Sequence, residues 1–448
     1  MNTNSPVLKG RVISTFFYYV LPSIIGLIAI TTASLVDGVF VGNTIGADAL
    51  AAITLLLPYF TLLISIALMV AIGGAVSAGK FIGEQDIVSA SKVFSQSLIA
   101  IVCITSILAI LSLFFESQLF RVLNIPDNMV ELVKDYFSVI RWVFILQLLT
   151  MVLYYFVRAD GHLKLATTAL VVGAMINIVL DAWFILSLEM GLVGAAYATA
   201  IAQLIQFFIL AHYFLSPKKT LTFSLTADNW RLFLRSAYNG ISEFINELSV
   251  GLLFLLLNVL LISRLGIDGV AAFTVVNYFI FLSVMLCYGI ADALHLLVSQ
   301  NFGAKNILRM QQFLITAICT TFALGGVIIF VILIWQQTAI SWFLSNDADH
   351  VSTITSQLIL LIWPLFVVNG LNIILSCYLT AIHQPKASAI IALSRGLIFP
   401  ISLLLICYFI FAESEVKFSF LIALPIAEWF AFFIAIWFCY RHWPKPKR

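Results

Sequence analysis

Charge is scarce in this chain. Lys, Arg, Asp and Glu together make up 10% of its 448 residues while 62% are apolar, whereas a soluble domain carries roughly a quarter charged residues and about half apolar ones. With a mean hydropathy of +1.10, no water-facing surface can be built. Cysteine is sparse too: Cys103, Cys287, Cys319, Cys377, Cys407 and Cys439 all fall inside apolar runs and form no Cys-x-x-Cys pair. That pattern excludes a thiolate metal site or a disulfide framework and leaves apolar packing as the default reading. The histidines, His162, His212, His295, His350, His383 and His442, are scattered without metal-ligand spacing. No glycine-rich phosphate loop or serine-centred elbow occurs. The connections between apolar runs are short, so no separate soluble domain could hold an active site, and a membrane-embedded enzyme, the alternative from another class, lacks its chemical groups.

What the chain has in abundance is long apolar runs. About 20 helical residues cross the hydrocarbon core of a bilayer. Twelve runs reach that length, at 12–41, 49–78, 93–115, 132–157, 165–187, 191–214, 235–263, 269–300, 310–335, 352–380, 387–411 and 418–440. The first is far longer than a signal-peptide core and no small-residue cleavage site follows it, so removal of a leader is not expected. With the N-terminus in the cytoplasm, seventeen Lys and Arg fall on inner segments and four on outer ones, Arg121, Lys134, Arg264 and Lys417, while Arg141 and Arg395 lie within spans, which accounts for all 23. This bias predicts a multi-pass protein of the cell inner (plasma) membrane with both termini cytoplasmic. The basic tail Arg441 to Arg448 reads as an anchor to anionic lipid, with nucleic acid not expected as a partner.

The chain is also duplicated. A shift of 220 residues lays Ile45-Gly46-Ala47-Asp48 and Ala51-Ala52 on Leu265-Gly266-Ile267-Asp268 and Ala271-Ala272, and Gly83 on Gly303. A shift of 222 lays Ala159 on Ala381 and Lys164 on Lys386. Two halves with an even number of spans start on the same side, and parallel repeats of this kind build transporters with a substrate cavity between the halves. The predicted fold is therefore an all-α polytopic membrane protein with twelve transmembrane helices in two pseudo-symmetric six-helix lobes around a central cavity. Residues 1–215 form the N-terminal lobe, 216–234 a cytoplasmic linker that reads as a hinge, and 235–448 the C-terminal lobe.

Against this apolar background the buried charges stand out. Asp37 is the only formal charge between Arg11 and Asp48, and an ionisable group inside a span marks an ion or substrate path by default. In the fifth span Asn177 and Asp181 are four residues apart and share a helix face. The fifth and sixth spans turn near Met190, and Asp181 and Thr199 each lie nine residues from it, which sets them at similar depth. Asp37, several residues short of the turn at Gly42 to Asp48, should lie at that depth as well. Two carboxylates, an amide and a hydroxyl then converge, a set of hard oxygens suited to a proton or an alkali cation. Close carboxylates in a low dielectric disfavour joint ionisation, which makes the pair a proton carrier. The bland alternative is interhelical hydrogen bonding alone.

The second half does not copy this site: Leu257, Phe399 and Leu403 occupy the positions equivalent to Asp37, Asn177 and Asp181. It carries instead Glu243, Asn246 and Glu247 in the seventh span, Asp292 and His295 in the eighth, Arg395 in the eleventh and Glu428 in the twelfth. Glu243 and Asp292 should share a depth, and Arg395 could neutralise one of them. A network that holds a lobe together and a role in substrate or proton handling both remain open for this second polar cluster. Pro22, Pro58, Pro364, Pro400 and Pro425 interrupt spans. Pro22, fifteen residues before Asp37, removes a backbone hydrogen bond and supplies a helix-1 bend that protonation of Asp37 could select.

The order Leu21-Pro22, Asp37, Val41-Gly42, Gly46, Leu50-Ala51-Ala52, Gly73-Gly74, Ser77, Gly79 and Gly83 resembles the multidrug and toxic compound extrusion (MATE) family, over nearly the whole chain. Asp37, Asn177, Asp181 and Thr199 resemble the cation site of its DinF-like branch, where the first-span aspartate binds the coupling ion and its protonation is linked to bending at a proline like Pro22. The resemblance implies a monomeric antiporter, not an enzyme, that expels small amphipathic or cationic drugs in exchange for protons, with no cofactor and with membrane lipid as its surroundings. Sodium coupling at the same four residues is the alternative. The fourth span near Tyr154 and Tyr155 lacks the asparagines that often join this site, which favours protons. A lipid-linked oligosaccharide flippase would need several basic groups in its cavity, yet only Arg141 and Arg395 lie within spans.

Overall fold

The computed structural model describes residues 6–225, 228–336, 338, 349–413 and 416–443. Lys445, Lys447 and Arg448 of the basic tail lie outside them. Hydrocarbon offers no partner for backbone N–H and C=O groups, so a spanning segment must satisfy them within itself, and the described residues form helices and no strand. Among the described residues, eleven helices are long and apolar enough to cross a membrane. They are α1 Val12–Ile45, α2 Asp48–Gly83, α3 Ile87–Phe114, α4 Asp127–Ala159, α5 Leu163–Ser187, α6 Gly191–Leu215, α7 Ile241–Gly266, α8 Asp268–Gly303, α9 Ile307–Ile334, α11 Pro385–Ile410 and α12 Ser419–Arg441. The pair Val351–Ile362 and Leu365–Ala381, bent by 54°, makes a twelfth, α10, when taken as one span. The bend falls at Pro364, which cannot donate the backbone hydrogen bond that would continue the helix.

The seventh span begins at Ile241 rather than at 235. Residues Arg231–Asn239 form a separate short helix that ends at Gly240, because two arginines in its first turns keep that stretch out of the hydrocarbon.

The duplication is written into the backbone. Gly46 between α1 and α2 has φ 117°, and Gly266 between α7 and α8 has φ 64°. The residue two beyond the end of α2, Gln85, has φ 64°, and its counterpart after α8, Lys305, has φ 58°. After α4 and α10 come Gly161 at φ 85° and His383 at φ 58°. Each pair is separated by the sequence shift of its own segment, 220 or 222. Left-handed residues end helices by satisfying their last carbonyls, so both halves turn the chain at equivalent residues, even where one half uses glycine and the other does not.

By internal contacts the chain divides into two units, one of Leu21–Gly240 and one of the residues through Val20 together with those from Ile241 onward. The first helix thus changes unit beside Pro22, and the short helix Arg231–Asn239 belongs with the first six spans. In the Leu21–Gly240 unit, α4 contributes buried residues along most of its length, from Val133 and Phe137 to Phe156 and Val157. Small residues permit close approach around it. A Cβ on Gly74 would lie 2.7 Å from Phe156 Cζ, and one on Gly240 would lie 2.1 Å from the Met69 carbonyl oxygen. This backbone-to-backbone seat of the short helix on α2 is the small-residue packing that helices use in membranes.

The linker is docked rather than loose. The Thr222 amide donates to Ser91 Oγ at 3.1 Å and the Ser224 amide to Ser95 Oγ at 3.0 Å. Asp160 Oδ2 accepts from the Thr220 amide at 2.6 Å and from Tyr213 OH at 2.8 Å. A stretch that the sequence suggests as a hinge is therefore tied to the ends of α3 and α4. In the other unit, the turn Pro6–Lys9 is held by Arg309 Nε, which donates to the Val7 carbonyl at 2.7 Å, and by Asn301 Nδ2 to the same carbonyl at 3.2 Å.

Two stability outcomes follow from these contacts. Gly240→Val forces backbone apart and should cost about 1–3 kcal/mol, read as a lower thermal midpoint of the purified protein; an unchanged midpoint would contradict the close seat. Asp86 caps α3 by accepting from the Ser89 amide at 3.0 Å, and the Ser89 hydrogen bonds hold its carboxyl below the usual aspartate range. Because the folded-state value is depressed, the cap's contribution is present at neutral pH and fades as pH falls below about 4. Asp86→Ala should cost about 1 kcal/mol at pH 7, and the difference from the parent should shrink in acid.

Candidate cation site in the first half

The sequence-predicted residues of the first half largely meet. Asp37 on α1, Asn177 on α5 and Thr199 on α6 line one cavity of about 210 Å³. Asp181, one turn beyond Asn177, is fully buried and lies within electrostatic range of Asp37, although it is not itself part of the cavity wall. Depth was legible because a tight hairpin keeps residues equidistant from its tip side by side. Here the turn between α5 and α6 passes through Glu189 at φ 50° and Gly191 at φ 59°.

Asp37 Oδ1 and both carboxylate oxygens of Asp181 are buried without a hydrogen-bond partner among the described residues. A buried polar atom left unpaired costs roughly 1–3 kcal/mol, and more when charged, so the arrangement demands something to fill it: a proton on the acid or a cation between the oxygens. The local backbone is irregular beside both acids. Val41–Ile45 and Ala182–Ser187 are wound as π-helix, a form concentrated at functional sites.

The cavity also holds residues that the sequence reading passed over. Tyr136 and Gln147 reach it from α4, and Gln203 and Gln206 from α6. Gly173 on α5 makes room for Gln206, since a Cβ there would lie 2.9 Å from its Oε1. The fourth span meets the cavity through Tyr136 and Gln147 rather than at the depth of Tyr154 and Tyr155. Those tyrosines sit about two turns past Gln147 and about five past Tyr136, toward the Ala159 end of α4, where Tyr154 OH accepts from Arg158 at 2.8 Å and Arg158 also bonds Ser23. Asp37 lies nine residues before Gly46, and nine residues into α4 from Asp127 is Tyr136, so the same depth counting points to Tyr136, whereas Gln147 lies about three turns further along. Pro22 lies within α1, and its carbonyl accepts from Thr167 Oγ1 of α5 at 3.3 Å.

The second polar cluster forms a buried network in the other unit, with a different pairing from the one anticipated. Arg395 donates from Nε to Glu428 at 3.0 Å, while it stays within electrostatic range of Glu243, one of the two acids expected as its partner. Glu428 is further held by Asn372 Nδ2 at 2.6 Å. Glu243 is hydrogen-bonded by Asn246 and lies 4.0 Å from His295 Nε2, with Asp292 within electrostatic range. Glu247 lies on the same helix, half-buried. The α12 acid won because α11 and α12 pack side by side, a proximity that depth counting from one hairpin cannot reveal. Arg141 is likewise committed, to Glu116 and to the Phe137 ring, whose centroid lies 4.3 Å away. Neither in-span arginine is left over to hold a pyrophosphate.

Comparison with known proteins agrees with this architecture. The chain is 24% identical over 428 residues to the multidrug export protein MepA of Staphylococcus haemolyticus, covering 95% of this chain and 94% of that one. It is 24% identical over 348 residues to the probable multidrug resistance protein YoeA of Bacillus subtilis, covering 76% and 75%. Its fold matches a solved outward-facing multidrug resistance MATE family transporter of the MOP superfamily with a TM-score of 0.88 and 24% identity, over 97% of each chain. The MatE family profile matches twice, at residues 22–183 and 244–406, once in each half. Matched over most of its length and in both repeats, the chain belongs to the MatE family, the multidrug and toxic compound extrusion family that its motifs resemble.

Proposed function

We propose that this protein is a secondary multidrug efflux transporter that exchanges amphipathic or cationic drugs for protons, with Asp37, Asn177, Asp181 and Thr199 as the proton site of a DinF-like cation-binding lobe. The observation that carries the reading is the pair of acids, Asp37 and Asp181, within electrostatic range of each other and with three of their four oxygens buried and unpartnered. A structural role rarely needs two carboxylates where a neutral amide would serve at lower desolvation cost. One shared proton relieves the repulsion, and its loss restores it. A site of this kind can therefore drive a two-state element as it loads and empties. Pro22, fifteen residues earlier on the same helix, supplies a place for α1 to bend in response. The multidrug names of the relatives support drugs as the cargo.

Sodium is the second reading, favoured by one specific observation. Gln147, Gln203 and Gln206 bring amide oxygens to the same cavity, and an alkali cation wants several oxygen ligands.

Transport into inverted membrane vesicles decides between them. An interior-acid pH gradient without sodium should drive drug accumulation by the parent protein, and a sodium gradient at equal pH should not; the reverse result would move the assignment to sodium. Asp37→Asn should reduce gradient-driven accumulation to background while leaving protein levels unchanged, and Asp181→Asn should reduce it at least tenfold, a barrier change of about 1.4 kcal/mol or more. Full transport by Asp37→Asn would remove this residue from the coupling step.

A further inference from the structure

One face of α3 changes character along its length. Val88, Lys92, Ser95, Ile99 and Cys103 recur every three or four residues and so share a face, which runs about 22 Å along the helix axis. Its inner part, at Lys92 with Ser91 and Ser95, lines a recess of about 260 Å³ shared with Ile87 and Val88 and closed by Thr222 and Ser224 of the linker, a mixed lining whose polar groups are one ammonium and four hydroxyls. Lys92 has no carboxylate partner among the described residues. Past Ser95 the same face, at Leu98, Ile99, Val102 and Cys103, becomes one wall of a larger groove of about 480 Å³ whose lining surface is entirely apolar.

Leu149 and Leu153 of α4 form the floor of that groove, and Phe207 and Phe214 of α6 form its second wall. At the cytoplasmic end, Phe223 of the linker leans over it, its ring 6.4 Å from that of Phe214. Water would find none of the two to four polar partners it needs there. Linker residues 222 to 224 straddle the boundary, with the hydroxyl-bearing Thr222 and Ser224 at the recess and Phe223 at the groove.

We propose that this face is a binding site for one anionic phospholipid of the cytoplasmic leaflet, its phosphate beside Lys92 and the linker hydroxyls and one acyl chain in the groove between α3 and α6. The order of chemistry along the helix is that of a lipid molecule, charged at the membrane surface and apolar below it. The unpaired lysine gives the preference for a net negative headgroup, since basic residues at the cytoplasmic surface attract anionic lipid. Because the docked linker supplies both the lid of the groove and part of the recess, the lipid would help hold the strap on α3. The site is independent of the cation cavity and of the coupling ion.

Native mass spectrometry of the purified, delipidated full chain tests this, with dioleoyl-phosphatidylglycerol and dioleoyl-phosphatidylcholine titrated separately. The parent should bind one phosphatidylglycerol about fivefold more tightly than phosphatidylcholine, the preference expected from one lysine at the headgroup. Lys92→Gln should bring phosphatidylglycerol down to the phosphatidylcholine level without altering the latter. Cys103→Trp or Ile99→Trp, which fill the groove from its open side, should weaken both lipids, with thermal midpoints confirming that the variants fold. An undiminished phosphatidylglycerol preference in Lys92→Gln would overturn the headgroup site, and full retention of both lipids by folded groove-filling variants would overturn the tail site. Displacement of the lipid by soluble glycerol 3-phosphate would reduce the recognition to the phosphate alone and sink the two-part proposal.

Discussion

Placing a charge where there is no water to solvate it is the constraint on which the rest of this molecule depends. Among the described residues, the arginines in and at the ends of the spans are answered by partners. Arg395 meets Glu428, which Asn372 also holds, and Arg141 meets Glu116 and a phenylalanine ring, while near the Ala159 end of α4 Arg158 meets Tyr154 and Ser23. Asp37 and Asp181 break that habit, with three bare oxygens between them. In a low dielectric an unanswered acid is tolerated only as a neutral group or as a ligand. The asymmetry between answered and unanswered charge is what separates the lobe-holding network of one half from the candidate ion site of the other.

The two halves show how a duplicated chain can keep its scaffold while its chemistry diverges. Turns survive at equivalent positions because a left-handed residue is a backbone requirement, met by Gly46 and Gly266, by Gln85 and Lys305, and by Gly161 and His383. Side chains facing inward are under no such requirement. Asp37 is answered by Leu257 in the second half and Asp181 by Leu403, while Glu243, Asp292 and Glu428 have no acidic counterparts in the first. Packing supports this freedom, because helix contacts set by small residues such as Gly74 and Gly240 fix the backbone independently of the polar groups.

The docking of the linker changes what a long polar connection means here. Serines on α3 accept backbone amides of the linker, and Asp160 gathers a hydroxyl and an amide at its base. A segment rich in basic residues reads in sequence as free and solvated, yet it is fastened along the ends of α3 and α4. Such fastening is built from single hydrogen bonds, each worth about 1 kcal/mol, so it is a contact that a conformational change can release.

Helix existence, number and the duplication were legible in the sequence, because apolar run length is set by bilayer thickness and turn residues by backbone sterics. The convergence of Asp37, Asn177 and Thr199 was legible too, since a short hairpin converts residue counting into depth. Tertiary structure alone decided which side chains face each other across non-sequential helices. It brought Tyr136, Gln147, Gln203 and Gln206 to the cavity, gave the Arg395 hydrogen bond to Glu428, and seated the linker on α3. Periodicity reports how far along a helix a residue lies, but the rotation of that helix about its axis and the choice of its neighbour come from close packing, which no single segment encodes.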